Sequence, residues 1–128
     1  MLPSKLPQLV IFGCGGHGRS VAATALALDY DQISFVDPAA SAGERLLGLP
    51  VFDRLSDELL VETVAIAASG EGIERERQLQ QIYARGLPLA TLAAPSAVVA
   101  AHVSLGSGVF VGPGSYVGPL AQIEDGAI

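Results

Sequence analysis

From Ala97 onward every sixth residue of this chain is aliphatic: Val99, Leu105, Val111, Val117 and Ile123. Two positions before each of them stands Ala97, Val103, Val109, Ser115 or Ala121, a second and mostly apolar register. Just after each comes Ala100, Gly106, Gly112, Gly118 or Glu124. A short repeat of this kind is the signature of a parallel β-helix, in which each repeat supplies one flat side of a coil. The aliphatic side chain points inward and stacks on its equivalents above and below. Glycine after it is expected to give the sharp corner that bulkier residues resist. The pattern stops in mid-repeat at Asp125-Gly126-Ala127-Ile128, after roughly five hexads, which is under two coils if three hexads make a turn. Each repeat is supported only by its neighbours. An open last coil presents unpaired N–H and C=O groups, so the tail is expected to fray or to pair with another chain.

The first part of the chain alternates strand and helix patterns. Leu9-Val10-Ile11-Phe12 reads as a buried strand, and Arg19 to Asp29 as a helix that is apolar almost all round. Gln32 to Val36 is a second strand, closed by Asp37-Pro38. Residues 38–48 read as a surface loop, and Leu49-Pro50-Val51-Phe52 as at most an edge strand because of its proline. Ser56 with Asp57-Glu58 is a plausible helix start. Thr63 to Ala68 reads as a buried strand ending at Ser69-Gly70. Ile73 to Arg85 is a polar helix, with Ile73, Leu79, Gln80, Ile82 and Tyr83 on its inner side and Gly86 as its cap. Leu89 to Leu92 is expected to be a final strand, and Ala94-Pro95-Ser96 the joint into the repeats. The fold class is therefore α/β: a small Rossmann-like parallel sheet of four or five strands, then the start of a β-helix. The division falls at residues 1–94 and 95–128.

Ligands of such sheets bind outside the carboxyl ends of the strands. Three segments converge there: the loop Gly13-Cys14-Gly15-Gly16-His17-Gly18, Asp37, and Ser69-Gly70. Gly13, Gly15 and Gly18 match G-x-G-x-x-G between a strand and a helix, with Asp37 nineteen positions after Gly18. Such a loop brings backbone N–H groups and a helix N-terminus close to a phosphate. The carboxylate can accept hydrogen bonds from a ribose or a base. The same glycines can also serve only to pack strand against helix. His17 can bond a ligand or simply lie on the surface. Cys14 reads as a small space-filling residue rather than a nucleophile, since only His17 is at hand to lower its pKa. His102 lies at a corner of the repeat and reads as no catalytic base. Glu71, Glu74, Arg75, Glu76 and Arg77 read as a solvated helix face, with Glu71 and Arg75 at i,i+4 spacing.

Composition narrows the partners. With 7 basic against 13 acidic residues and a net charge of −6, nucleic acid is not expected. No apolar run approaches the ~18 residues that span a bilayer, so no membrane partner is expected. Met1 to Gly13, with its single Lys5 and with Pro3 and Pro7, is a poor signal peptide. A lone cysteine closes no internal disulfide and suits a reducing cytoplasm. No metal site is expected.

The combination resembles one family: a Gly-x-Gly-Gly-His-Gly-Arg loop after an opening strand, a strand ending in Asp, and hexapeptide repeats after a Pro-Ser joint. The chain is similar along its whole length to bacterial nucleotide-sugar acetyltransferases of the hexapeptide-repeat superfamily (PglD/NeuD-type). These include UDP-4-amino-sugar N-acetyltransferases and sialic acid O-acetyltransferases. The resemblance implies an α/β domain that holds the nucleotide-sugar, followed by a left-handed β-helix that forms a homotrimer and binds acetyl-CoA between subunits. The activity implied is acetyl transfer to a nucleotide-activated (amino)sugar for surface glycan synthesis. Carried over by position, the nucleotide-sugar contacts fall on Gly13, Gly15, Gly16, His17, Gly18, Asp37, Ser69 and Gly70. The family's catalytic histidine falls beyond Ile128, so no catalytic residue is assigned and this chain alone is expected to be inactive. The alternative is a non-catalytic nucleotide-sugar or dinucleotide-binding module.

Overall fold

A computed structural model describes residues 6–128. Residues 1–5, which carry part of the leader-like stretch considered above, lie outside the described residues. Elements run β1 (Gln8–Phe12), α1 (Gly16–Ala27), β2 (Ile33–Val36), β3 (Arg45–Leu46), β4 (Leu49–Phe52), a 3-10 turn (Asp57–Leu60), β5 (Thr63–Ala67) and α2 (Gly72–Ala84). Six two-residue strands follow: β6 (Leu92–Ala93), β7 (Val98–Val99), β8 (Ser104–Leu105), β9 (Phe110–Val111), β10 (Tyr116–Val117) and β11 (Gln122–Ile123).

The sheet has the order β3-β4-β2-β1-β5. Its β1, β2, β4 and β5 pair in parallel, and only β3 runs antiparallel. Side chains alternate across it as the pleat requires. Leu9 and Ile11 face a core with Val21, Ala22 and Ala25 of α1, while Val10 and Phe12 face Ile82 of α2 and Leu59. Burial on both faces explains the unbroken apolar runs of β1 and β2. Leu9, Val10, Ile11 and Phe35 are fully buried.

The repeats wind as expected. β6 pairs β9, β7 pairs β10 and β8 pairs β11, all in parallel. Each pairing joins residues one three-hexad coil apart. This is the opening of the left-handed parallel β-helix that the resemblance implied. One flat side, β6 with β9, is covered by the α/β part: Leu92 and Phe110 join the core that contains α1. The next side is open, with Val98 and Tyr116 exposed.

Several local expectations change. Leu89 to Leu92 is not a sheet strand. Leu89 forms a single parallel bridge with Ala65, and Leu92–Ala93 already pairs with β9 as the first side of the coil. The loop 38–48 contains β3, which pairs with β4 through a tight turn at Leu47 and Gly48, both at positive φ. Pro50 therefore lies inside the sheet, opposite Arg45 in a pair that needs no N–H from it, since the hairpin bond is made by the next residue, Val51 N–H to the Glu44 carbonyl. The start at Ser56 yields one 3-10 turn without a side-chain cap. α1 buries a single stripe and leaves Leu26 exposed. On α2, Ile73 and Tyr83 face solvent, and Gln80 is exposed too. Gln78 is buried in their place, beside Ile82.

The corners also differ. Gly106, Gly112 and Gly118 do not take left-handed backbone. The positive φ values fall three residues after each aliphatic, at His102, Gly108, Gly114, Leu120 and Gly126. Gly106 is required for space instead, because a Cβ there would lie 2.7 Å from the Asp125 nitrogen of the next coil.

Candidate functional site

The carboxyl ends of β1, β2 and β5 meet at one cleft of about 350 Å³. Gly13, Gly15, Gly16, His17, Asp37, Ser69 and Gly70 all line it, together with Cys14, Pro38, Ala68, Glu74 and Gln78. Of the expected residues only Gly18 is absent from the lining. It is buried beneath the loop.

The three glycines of the motif stand there for different reasons. Gly13 adopts φ +101°, a conformation that disfavours a side chain, and a Cβ on it would approach Gln78 Nε2 at 3.1 Å. Gly18 permits close packing: its Cβ would overlap the Gly13 carbonyl oxygen and lie 2.9 Å from the carbonyl carbon. Gly15 has no such intramolecular need, since a Cβ there would meet nothing within 4 Å. Open space above a glycine, at the start of a helix, suits the close approach of a ligand. Gly15 is the N-cap of α1, with no side-chain cap and no acidic residue in the first turn. The positive end of the helix thus faces the cleft uncompensated. Gly70 is equally open.

Asp37 is held firmly. Its backbone N–H donates to the Phe52 carbonyl and its carbonyl accepts from the Ala40 N–H. Its Oδ1 accepts from the Ala39 N–H at 2.9 Å, and its Oδ2 from the Cys14 thiol at 3.2 Å. The Ala39 hydrogen bond and the bonds from Cys14 keep its pKa below the ordinary carboxylate value, against partial burial. The Cys14 thiol is pushed up to about 11, first by burial and then by the neighbouring carboxylate. It is a retained donor, neither a nucleophile nor a mere space-filler.

His17 makes an edge-on contact with Phe110 of the β-helix, with ring centroids 5.3 Å apart and planes at 86°. Its Nε2 is buried without a partner, and burial, followed by the nearby Arg75 charge, lowers its pKa. The ring is therefore neutral at pH 7, able to accept or donate one hydrogen bond but not to supply charge.

Two contributors escaped the sequence reading. Gln78 accepts from the Ser69 N–H through Oε1 at 3.1 Å and so fixes the turn after β5. Arg75 is not part of a solvated face. It donates from Nη1 to the Ser69 carbonyl at 3.2 Å and from Nε to the Gly126 carbonyl at 3.1 Å, tying that turn to the second coil. The ion pair on this helix is Arg77 with Glu74, not Glu71 with Arg75. A signal was available: Arg75, Gln78, Leu79 and Ile82 share one face at helical spacing.

A second cavity of about 380 Å³ adjoins the first, sharing Pro38, Glu74 and Gln78. Phe12, Val36 and Leu55 give it apolar walls, and Asp53, Arg54, Gln81 and Arg85 a polar margin. Among the described residues no group of three or more His, Cys, Asp or Glu side chains is placed to hold a metal ion. No described helix is long and apolar enough to cross a membrane.

The chain is similar to solved structures of acetyltransferases. The acetyltransferase domain of PglB from Neisseria gonorrhoeae FA1090, in complex with acetyl coenzyme A, is 29% identical with a TM-score of 0.81. The match covers 96% of this chain and 60% of that one. A mutant of perosamine N-acetyltransferase from Caulobacter crescentus, in complex with CoA and GDP-perosamine, is 28% identical with a TM-score of 0.78 and covers 92% and 57%. The chain thus spans about 60% of the length of these structures. No curated protein matches it. The family profile of the PglD N-terminal domain matches residues 8–82, the segment from β1 into α2 that builds the cleft. The chain belongs to the PglD N-terminal domain family, joined here to the opening coils of a β-helix.

Proposed function

We propose that this chain is the nucleotide-sugar-binding part of an acetyl-CoA-dependent acetyltransferase acting on a nucleotide-activated amino sugar. The observation that carries the reading is the cleft itself. An uncapped helix N-terminus and a glycine whose missing side chain has no intramolecular cause stand beside a fixed carboxylate. The N–H groups of residues 15–17 take the diphosphate and Asp37 takes ribose hydroxyls. His17, Ser69 and Gly70 line the path of the sugar. The adjoining apolar-walled cavity is of a size and character for the base. That solved relatives hold GDP-perosamine and CoA supports the substrate class.

The α/β part is taken as residues 1–94 and the β-helix as 95–128; the bond of Ala90 to β5 and the pairing of Leu92 with β9 support a boundary near this point. The coils present do not by themselves fit CoA. No Lys or Arg follows Arg85, so its phosphates find no cationic partner on residues 92–128. Acetyl transfer belongs to an assembly with further coils, arranged as a homotrimer in the cytoplasm, and these 128 residues alone do not turn over. Calorimetry with UDP, UDP-sugars, GDP-sugars and NADH tests the reading, with His17→Ala and Asp37→Ala as controls. Binding of a nucleotide-sugar that both substitutions weaken is the expected result. Preferential binding of NADH refutes the substrate class, and acetyl transfer by this chain alone refutes its inactivity.

A further inference from the structure

One side-chain contact in the cleft joins the Cys14 thiol to Asp37. These residues end two neighbouring strands, β1 and β2, and both line the cleft. The Asp37 backbone is pinned by Phe52 and Ala40, which leaves the side-chain torsions as its remaining freedom. Ala39 N–H holds one oxygen from below the turn and the Cys14 thiol holds the other from the glycine loop. A carboxylate has roughly four acceptor positions, two on each oxygen. The Ala39 N–H, the Cys14 thiol and the Cys14 backbone N–H take three of these, so about one remains for a ligand.

We propose that Cys14 is a positioning residue for Asp37, its thiol orienting the carboxylate so that the remaining acceptor position receives a hydroxyl of a ligand's ribose. The proposal rests on the nucleotide-sugar reading and adds to it the source of ribose discrimination. A thiol is suited to this task here. Burial raises its pKa first, its acidic neighbours Asp37 and Glu44 raise it further and Arg19 only partly offsets them, so the proton stays on sulfur and the group remains a donor at any physiological pH. An alanine would free one carboxylate oxygen to rotate. A serine would keep a donor at nearly the same place.

Two measurements decide it. In the free protein, the Asp37 carboxyl titration followed by NMR is expected to move upward in Cys14→Ala and to stay near the wild-type position in Cys14→Ser. With ligand, calorimetry compares UDP and GDP with their 2′-deoxy and 3′-deoxy analogues. Wild type is expected to favour the ribonucleotide about tenfold or more, since the missing hydroxyl leaves an acceptor unpaired. Cys14→Ala is expected to lower that ratio about threefold or more, a weak S–H donor being worth less than a full charged hydrogen bond. Cys14→Ser restores the ratio, and Asp37→Asn abolishes it. Unchanged discrimination and titration in Cys14→Ala would overturn the thiol's role and leave nucleotide binding standing, as would failure of serine to rescue. A wild type that binds no nucleotide overturns the binding reading instead, and the titration still decides whether the thiol holds the carboxylate.

Discussion

Substituting Gly18 by alanine sets two effects of known size against each other. Gly18 lies in the first turn of α1, where alanine is favoured over glycine by up to about 1 kcal/mol. The new methyl would, however, overlap the Gly13 carbonyl oxygen and stand 2.9 Å from the carbonyl carbon, whereas ordinary contacts begin near 3.4 Å. The loop would have to move by about half an ångström at the carbon and further at the oxygen. Gly13 cannot absorb this freely, because it already holds φ +101° and Gln78 closes its other side at 3.1 Å. Overpacking costs about 1–3 kcal/mol, and a backbone overlap this close falls at the upper end, so the clash outweighs the helix gain and the variant loses about 2 kcal/mol. In a domain of this size that is a fall of several degrees in Tm. Gly15→Ala is the contrast: its methyl meets nothing, and the poorer N-cap costs under about 1 kcal/mol. Urea unfolding and nucleotide calorimetry on both variants separate the roles. Gly18→Ala should lose stability, and Gly15→Ala should lose binding while remaining nearly as stable as wild type. A Gly18→Ala protein as stable as wild type would refute the packing argument. Unimpaired binding by Gly15→Ala would refute the close approach.

Other expectations concern the groups around the loop. The folded-state pKa of His17 lies below its ordinary 6.5, so the unfolded chain takes up the proton first as pH falls through 6.5. Its stability contribution is complete at higher pH and shrinks toward the folded pKa. A Tm–pH profile should show this loss, and His17→Gln should remove it; an unchanged slope would count against the burial of the ring. Phe110, 5% exposed and in the core shared with α1, should lose about 3–5 kcal/mol as alanine. Exposure of the His17 ring in that variant should raise the histidine pKa by NMR. A cost under about 1 kcal/mol would show that the coil is not packed on the loop as described. With its pKa near 11, Cys14 should react with iodoacetamide at pH 8 far more slowly than free cysteine; rapid labelling would contradict the retained thiol.

Much of this architecture could be read before any coordinates. The six-residue period specified the coil because each aliphatic must stack on the residue one turn away, and Leu105 does lie opposite Ile123. The glycine loop, Asp37 and Ser69-Gly70 were legible as one site because parallel strands bring their carboxyl ends to a common edge. What period and motif could not convey were effects set by neighbours distant in the chain. The left-handed corners fall at Gly108, Gly114 and Gly126, not at Gly106 and Gly112, a matter of where the backbone turns and not of which residue is small. Ile73 is exposed and Gln78 buried because α2 presents to the sheet the face that must also hold the Ser69 turn.

By itself, then, the sequence determined the principal strands and helices, the coil period and the strand ends that converge on the cleft, because these depend on local backbone preferences and on the spacing of apolar residues. Only the tertiary structure decided that Arg75 ties the Ser69 turn to Gly126, that Phe110 covers His17, and that Cys14 donates to Asp37. The Arg75–Gly126, His17–Phe110 and Cys14–Asp37 contacts each join residues 23 or more positions apart. Such contacts depend on how the sheet, α1 and the first coils pack together, and that packing leaves no periodic trace in the chain.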